Sequence, residues 1–278
     1  MAERVWFITG VSSGFGRKLA EEVAKLGDKV IGTVRQVRQL EEFNAISPGN
    51  TFAYLMDVTN AEGVKATTEA ACKLMGRIDV LVNNAGFGYV GAVEEAPVAA
   101  YRDNMETNFF GALQVTQRLL PYMREQGGGH IIQMSSIAGF RSSPGFSVYN
   151  ASKFALEGMS EALAMEVAPF NIKVTIVEPG PFRTNFGGSS IKHATVEMEA
   201  YAGTAGAFKR RMSAQNGEQE GDPLKAARVI IDVVNADNPP LRLPLGQYAI
   251  DAVRAKLEQV AQDLRAWEAK AGPTSFTD

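Results

Sequence analysis

A single cysteine, Cys72, stands in a chain of 278 residues, so no intramolecular disulfide can form and no cysteine cluster can hold a metal. Histidine is nearly as scarce: His130 and His193 are the only two, which argues against a zinc enzyme, and no metal is expected. There is no basic excess either. The formal net charge is −3, unlike the basic face or stripe of a general nucleic-acid binder. No run reaches the ~18 apolar residues of a membrane-crossing helix, and Met1-Ala2-Glu3-Arg4-Val5 lacks the basic and apolar regions of a secretion signal. The expectation is a soluble, cytoplasmic protein with neither nucleic acid nor membrane as partner.

What is present is enough apolar material for a sizeable core, 45% of residues against 21% charged. Short β-branched runs at 5–8, 29–34, 51–56, 79–82, 130–134 and 173–177 are continuously apolar, which suits strands covered on both faces. Between them, residues 16–26, 61–75, 98–125 and 148–168 repeat apolar positions at three and four. Strand then helix, repeated, predicts an α/β chain with a doubly wound parallel sheet flanked by helices, in one domain spanning 1–278. Residues 184–221 mix glycines, small polar residues and charges around an amphipathic piece at 196–212, and read as a mobile segment over a site. A helix from 222 to 235 follows. Pro239, Pro240 and Pro244 then confine their run to an edge strand or rigid turn, and a polar helical tail closes the chain at about 247–278.

Five places carry chemistry. The first strand runs straight into Thr9-Gly10-Val11-Ser12-Ser13-Gly14-Phe15-Gly16, and a helix follows. Glycines there let backbone approach a pyrophosphate while the helix N-terminus supplies free N–H groups, although a plain glycine-rich turn has the same composition. At the end of the second strand, where binders of NAD carry an acid for the ribose 2′-hydroxyl, the chain reads Ile31-Gly32-Thr33-Val34-Arg35. A guanidinium there suits a 2′-phosphate, so NADP(H) is favoured over NAD(H); the alternative is a solvated charge beside Arg38. Tyr149 and Lys153, four apart at a helix start, project from one face, where an ammonium favours the phenolate; alone, that spacing equally describes a helix surface. Ser136, and the pair Asn83 and Asn84, follow strands at their carboxyl ends, where sites of parallel sheets lie.

Taken together, Thr-Gly-x-x-x-Gly-x-Gly at 9–16, Asn-Asn-Ala-Gly at 83–86, Ser136 thirteen positions before Tyr149, and Tyr-x-x-x-Lys at 149–153 resemble the short-chain dehydrogenase/reductase family. Asp57, Asn108 and the Pro179–Thr184 run extend the likeness over about residues 5–184. The resemblance implies a Rossmann fold and a homo-oligomer, a dimer before a tetramer, formed through the helices at 98–125 and 148–168. It implies Tyr149 as general acid in reduction and base in oxidation, with Lys153 binding the nicotinamide ribose and lowering the tyrosine pKa. Ser136 would bond the substrate oxygen, and Asn108 would hold a water linking Lys153 to solvent. The cofactor would be met by Gly10, Ser12, Ser13, Gly14, Phe15, Gly16 and Arg35, by Asp57 and Val58 at the adenine, by Asn84, Ala85 and Gly86 near the ribose, by Tyr149 and Lys153, and by Pro179, Gly180, Phe182 and Thr184 at the nicotinamide.

The Val-Glu-Pro-Gly-Pro run at 177–181, the Phe154–Gly158 continuation and the long tail are similar to the 17β-hydroxysteroid and retinol dehydrogenase-like branch, which implies a small hydrophobic ketone or secondary alcohol as substrate. Phe140, Pro144, Phe146, Phe182, Phe186 and Met198 are candidate pocket walls. The alternatives are a 3-oxoacyl-(acyl-carrier-protein) reductase, which normally lacks so long a tail, and a non-catalytic NADP-sensing protein, which has no use for Asn108, Ser136, Tyr149 and Lys153 together. Cys72, His130 and Trp6 read as packing residues, and Arg210 and Arg211 as a solvated helix face.

Overall fold

Each continuous apolar run becomes a strand because both of its faces meet helices. The computed structural model describes residues 3–188 and 190–276. In chain order its elements are β1 (Val5–Ile8), α1 (Gly14–Lys25), β2 (Lys29–Val34), α2 (Arg38–Asn44), β3 (Thr51–Leu55), α3 (Ala61–Met75), β4 (Val80–Asn83), β5 (Gly88–Val90) and α4 (Val98–Met105). They continue with α5 (Gly111–Glu125), β6 (Gly129–Met134), α6 (Ser147–Val167), β7 (Ile172–Pro179), β8 (Ile191–His193), α7 (Ala205–Ala214), α8 (Pro223–Asn235), β9 (Arg242–Leu245) and α9 (Gln247–Ala271).

Seven strands form one parallel sheet in the order β3-β2-β1-β4-β6-β7-β9, the single-domain Rossmann-type architecture expected. Alternation along β1 shows why its run is unbroken. Trp6 and Ile8 enter the core with Leu19, Val23, Phe43 and Ile230, while Val5 and Phe7 enter the opposite core with Leu81, Leu119, Ile131 and Leu163. Strand β1 pairs with β2 on one side and β4 on the other. The chain order reverses there, so the crevice beyond the carboxyl ends of β1 and β4 is the topological switch point.

Three local features differ from the sequence expectation. Residues 98–125 are not one helix: α4 and α5 are joined by a π-helical turn, Glu106–Phe110, which tertiary packing rather than periodicity selects. Helix α7 occupies only the end of the amphipathic piece at 196–212. The short α2 and a two-stranded parallel sheet of β5 and β8 are too brief to leave a period in the sequence. The remaining strands and helices lie within a residue or two of their expected bounds. Pro244 sits in β9, an edge strand paired only with β7, where a missing N–H is tolerated.

Candidate active site

The glycine-rich turn is held by the loop after β4. The backbone N–H groups of Asn84 and Ala85 donate to Thr9 Oγ1 at 2.9 and 3.0 Å, and Asn84 Nδ2 donates to the carbonyls of Thr9 and Gly10, both at 2.9 Å. A side chain at Gly16 would run into that amide and lie 2.6 Å from the Gly10 carbonyl, so the close packing of turn, helix and loop requires glycine. Ser13 stands at the N-cap of α1 in extended conformation and its side chain caps nothing, leaving N–H groups of the first turn open to an anion. Phe15 packs edge-on against Phe182, centroids 5.1 Å apart, and Thr184 Cβ lies 3.7 Å from where a Gly14 side chain would begin. The 179–184 run is thereby drawn over the turn.

Arg35 and Asp57 are exposed at the ends of β2 and β3. Arg35 makes no side-chain hydrogen bond or ion pair among the described residues and is exposed directly after β2. Asp57 Oδ1 accepts from the Thr59 N–H at 3.0 Å and hydroxyl at 2.8 Å, which shapes the turn, and Val58 is buried against Gly111. The cradle fits a dinucleotide: backbone without side chains at the pyrophosphate position, an open helix N-terminus, and a free cation at the end of β2.

Tyr149 and Lys153 lie one turn apart on α6, both buried, with Lys153 Nζ 5.6 Å from the tyrosine ring centroid. Lys153 donates to the Met134 carbonyl at 2.7 Å, which fixes it to the end of β6. Ser136, the next turn's N-cap, accepts from the Ala138 N–H at 3.1 Å and lies near enough to Tyr149 to act on its pKa. Burial pushes the Tyr149 phenol well above its ordinary value, with Ser136 acting the other way. Burial likewise depresses the Lys153 ammonium to about 8, opposed by Glu157. Desolvation is thus the largest influence on Tyr149 in this structure, and it favours the neutral phenol.

Asn108 lies in the π-helical turn with its side chain fully engaged. Oδ1 accepts from the Phe87 N–H at 3.0 Å, and Nδ2 is within reach of the Phe87 carbonyl, Asn104 Oδ1 and Ser152 Oγ at 3.0–3.1 Å. A Cβ at Gly86 would sit 2.9 Å from Asn108 Oδ1 and 3.8 Å from Lys153 Nζ, so Gly86 keeps open the gap that both residues border.

Around the tyrosine the walls are apolar. Phe146 and Phe186 lie 5.1 and 5.4 Å from its ring, and Phe208 packs on Phe146 at 4.9 Å, joined by Val90, Ala138 and Ile191. Of the six expected wall residues, Phe146 and Phe186 reach the tyrosine. Phe182 instead packs on Phe15, Phe140 lies under the Arg242 guanidinium at 5.2 Å, and Pro144 is exposed. Met198 lines a cavity of about 150 Å³ with Tyr201 and with Val90, which also belongs to the tyrosine's apolar cluster. Phe208 and Ile191 escaped the sequence reading because periodicity in this segment marks an apolar face but not what that face packs against. That segment is fastened from below: the Met198 N–H donates to Glu95 Oε1 at 2.8 Å and the Tyr201 hydroxyl to Glu94 Oε2 at 2.6 Å.

A buried charge network behind Lys153 was also missed. Glu157, one turn further along α6, accepts from Ser135 Oγ at 2.5 Å and pairs with Arg242, which also reaches Glu178 Oε1 and Glu161 Oε1, each at 2.6 Å. Burial and Glu157 together raise the Glu178 carboxyl. The signal lay in the sequence: an acid inside the apolar run of β7 demands a partner.

The sequence pattern of short chain dehydrogenases matches residues 4–194. A short-chain dehydrogenase structure from Streptomyces avermitilis superposes with a TM-score of 0.93 at 44% identity, covering 99% of this chain and 100% of that one. A 3-ketodihydrosphingosine reductase from Bacteroides thetaiotaomicron is 39% identical over 88% of this chain and 89% of its own. Human retinol dehydrogenase 8 is 35% identical over 87% and 81%. With the profile covering the catalytic frame and these relatives spanning nearly the whole length, the chain belongs to the short-chain dehydrogenase family of oxidoreductases.

Proposed function

We propose that the protein is an NADP(H)-dependent carbonyl reductase and alcohol dehydrogenase acting on a small hydrophobic ketone or secondary alcohol. The observation that carries this reading is a buried Tyr149 on the same helix face as Lys153, walled by Phe146 and Phe186. A neutral phenol donates a proton to a carbonyl oxygen in reduction, and its phenolate accepts one in oxidation.

When bound, the nicotinamide supplies the hydride. The residues that would hold it are those of the glycine turn from Gly10 to Gly16, Arg35 at a 2′-phosphate, Asp57 and Val58 beside the adenine, Asn84 to Gly86, and the run from Pro179 to Thr184. Ser136 and Tyr149 bond the substrate oxygen, and Tyr149 delivers its proton as the alkoxide forms. Lys153 then restores the tyrosine's proton, with a water in the gap beside Asn108 and Gly86 linking it to solvent. The apolar wall excludes bulk water and selects a carbonyl flanked by hydrocarbon. Relatives named for 3-ketodihydrosphingosine and for retinol support an apolar substrate. A homodimer would cover Phe110, Tyr122, Phe154 and Met165, which are exposed on the α5 and α6 side.

Tyr149→Phe is expected to lower turnover by about 10²-fold or more while leaving NADPH affinity largely intact; retained turnover refutes the role. Arg35→Asp is expected to shift preference from NADPH towards NADH, read as the ratio of the two kcat/KM values, and an unchanged ratio means that the 2′-phosphate is met elsewhere.

A further inference from the structure

Helix α9 carries an apolar seam that the rest of the chain does not cover. Ile250, Val253, Leu257, Val260, Leu264 and Trp267 follow one another at spacings of three and four, the a and d positions of a heptad repeat. The first two are partly covered by the body, and Ala249 and Ala252 beside them are buried. From Leu257 onward the cover ends: Leu257 is 56% exposed, Val260 49%, Leu264 63% and Trp267 62%. Four large apolar side chains in one row on one helix exceed the scattered exposure normal for a surface.

We propose that this seam is an interface between two copies of the chain, paired as antiparallel α9 helices about a twofold axis. The charges flanking the seam select both the occupant and its direction. Lys256 and Asp263 stand at successive g positions and neither forms an ion pair among the described residues, whereas Arg265 pairs with Glu258 at 2.8 Å on the outer face. In an antiparallel pair that sets Leu257 against Val260 of the second copy, Lys256 meets Asp263 of the second copy, and the contact occurs twice. The same register places Val253 against Leu264 and Ile250 against Trp267. A parallel pair would instead bring Asp263 against Glu268 of the second copy, two like charges. The helix carries four acidic and four basic residues, without the basic polar face of a helix that lies on a lipid surface, so a second copy is favoured over a membrane.

The test is the solution mass of the full-length protein by light scattering and sedimentation equilibrium. Leu257→Glu with Leu264→Glu is expected to halve the mass of the wild-type assembly at unchanged circular dichroism. Asp263→Lys alone is expected to weaken association by about tenfold or more, and Asp263→Lys combined with Lys256→Asp to restore it, because the exchanged charges meet again only across an antiparallel pair. An unchanged mass in the double glutamate variant overturns the proposal. So does failure of the charge exchange to restore what Asp263→Lys lost, and so does seam-dependent binding to phosphatidylcholine vesicles by a wild-type protein whose mass the glutamates leave unaltered.

Discussion

The two longest helices of the molecule, α6 with 21 residues and α9 with 25, bury opposite kinds of surface. Helix α6 buries ten residues, among them Tyr149, Lys153 and Glu157; α9 buries two alanines. On α6 the buried stripe is polar at its centre, and each charge there is matched: Lys153 by the Met134 carbonyl, Glu157 by Ser135 and Arg242. On α9 the apolar stripe faces outward and the charges flank it. Amphipathic spacing therefore says that a helix has two faces, not which one the fold uses. On α6 buried polarity serves chemistry at a stability cost, and on α9 exposed apolarity serves association.

That contrast is sharpest at Lys153. Lys153→Met is expected to reduce turnover by about a thousandfold while stabilising the protein by about 1–3 kcal/mol at pH 7, since it removes a buried ammonium. The pH dependence separates this from ordinary repacking. Burial lowers the folded-state value from 10.5 to about 8, so between those limits the unfolded chain holds a proton that the folded one lacks, and wild-type stability rises with pH. Thermal melts of the variant should lack that rise; a variant less stable than wild type, with the rise intact, breaks the comparison. Next in size, Arg242→Met is expected to destabilise by about 3 kcal/mol in urea titrations, because Glu157 and Glu178 would remain buried without their cation. Smallest, Leu264→Ser on α9 should shift the stability of the dissociated chain by no more than about 0.5 kcal/mol, and a larger loss would mean that the seam packs on its own body.

The sheet was legible because its strands are unbroken apolar runs, as Trp6 and Phe7 facing opposite cores make plain. The glycine turn, Ser136 and the Tyr149–Lys153 pair were legible because fixed spacings bring them to carboxyl ends of strands. The π-helical turn at Asn108 was not, since it depends on Phe87, Asn104 and Ser152 converging from distant segments. Neither was the direction of the tyrosine's shift: spacing shows the ammonium nearby, but only the fold shows how completely both groups leave water.

The central claim, that Tyr149 delivers a proton to an apolar ketone, is tested most directly by following NADPH and NADH consumption across hydrophobic ketones, steroid ketones, retinal and a 3-oxoacyl thioester. The expected result is turnover with at least one apolar carbonyl, faster with NADPH than with NADH. Tight NADPH binding without turnover on any of these carbonyls would contradict the claim and leave the chain a nucleotide-binding protein with an idle catalytic frame.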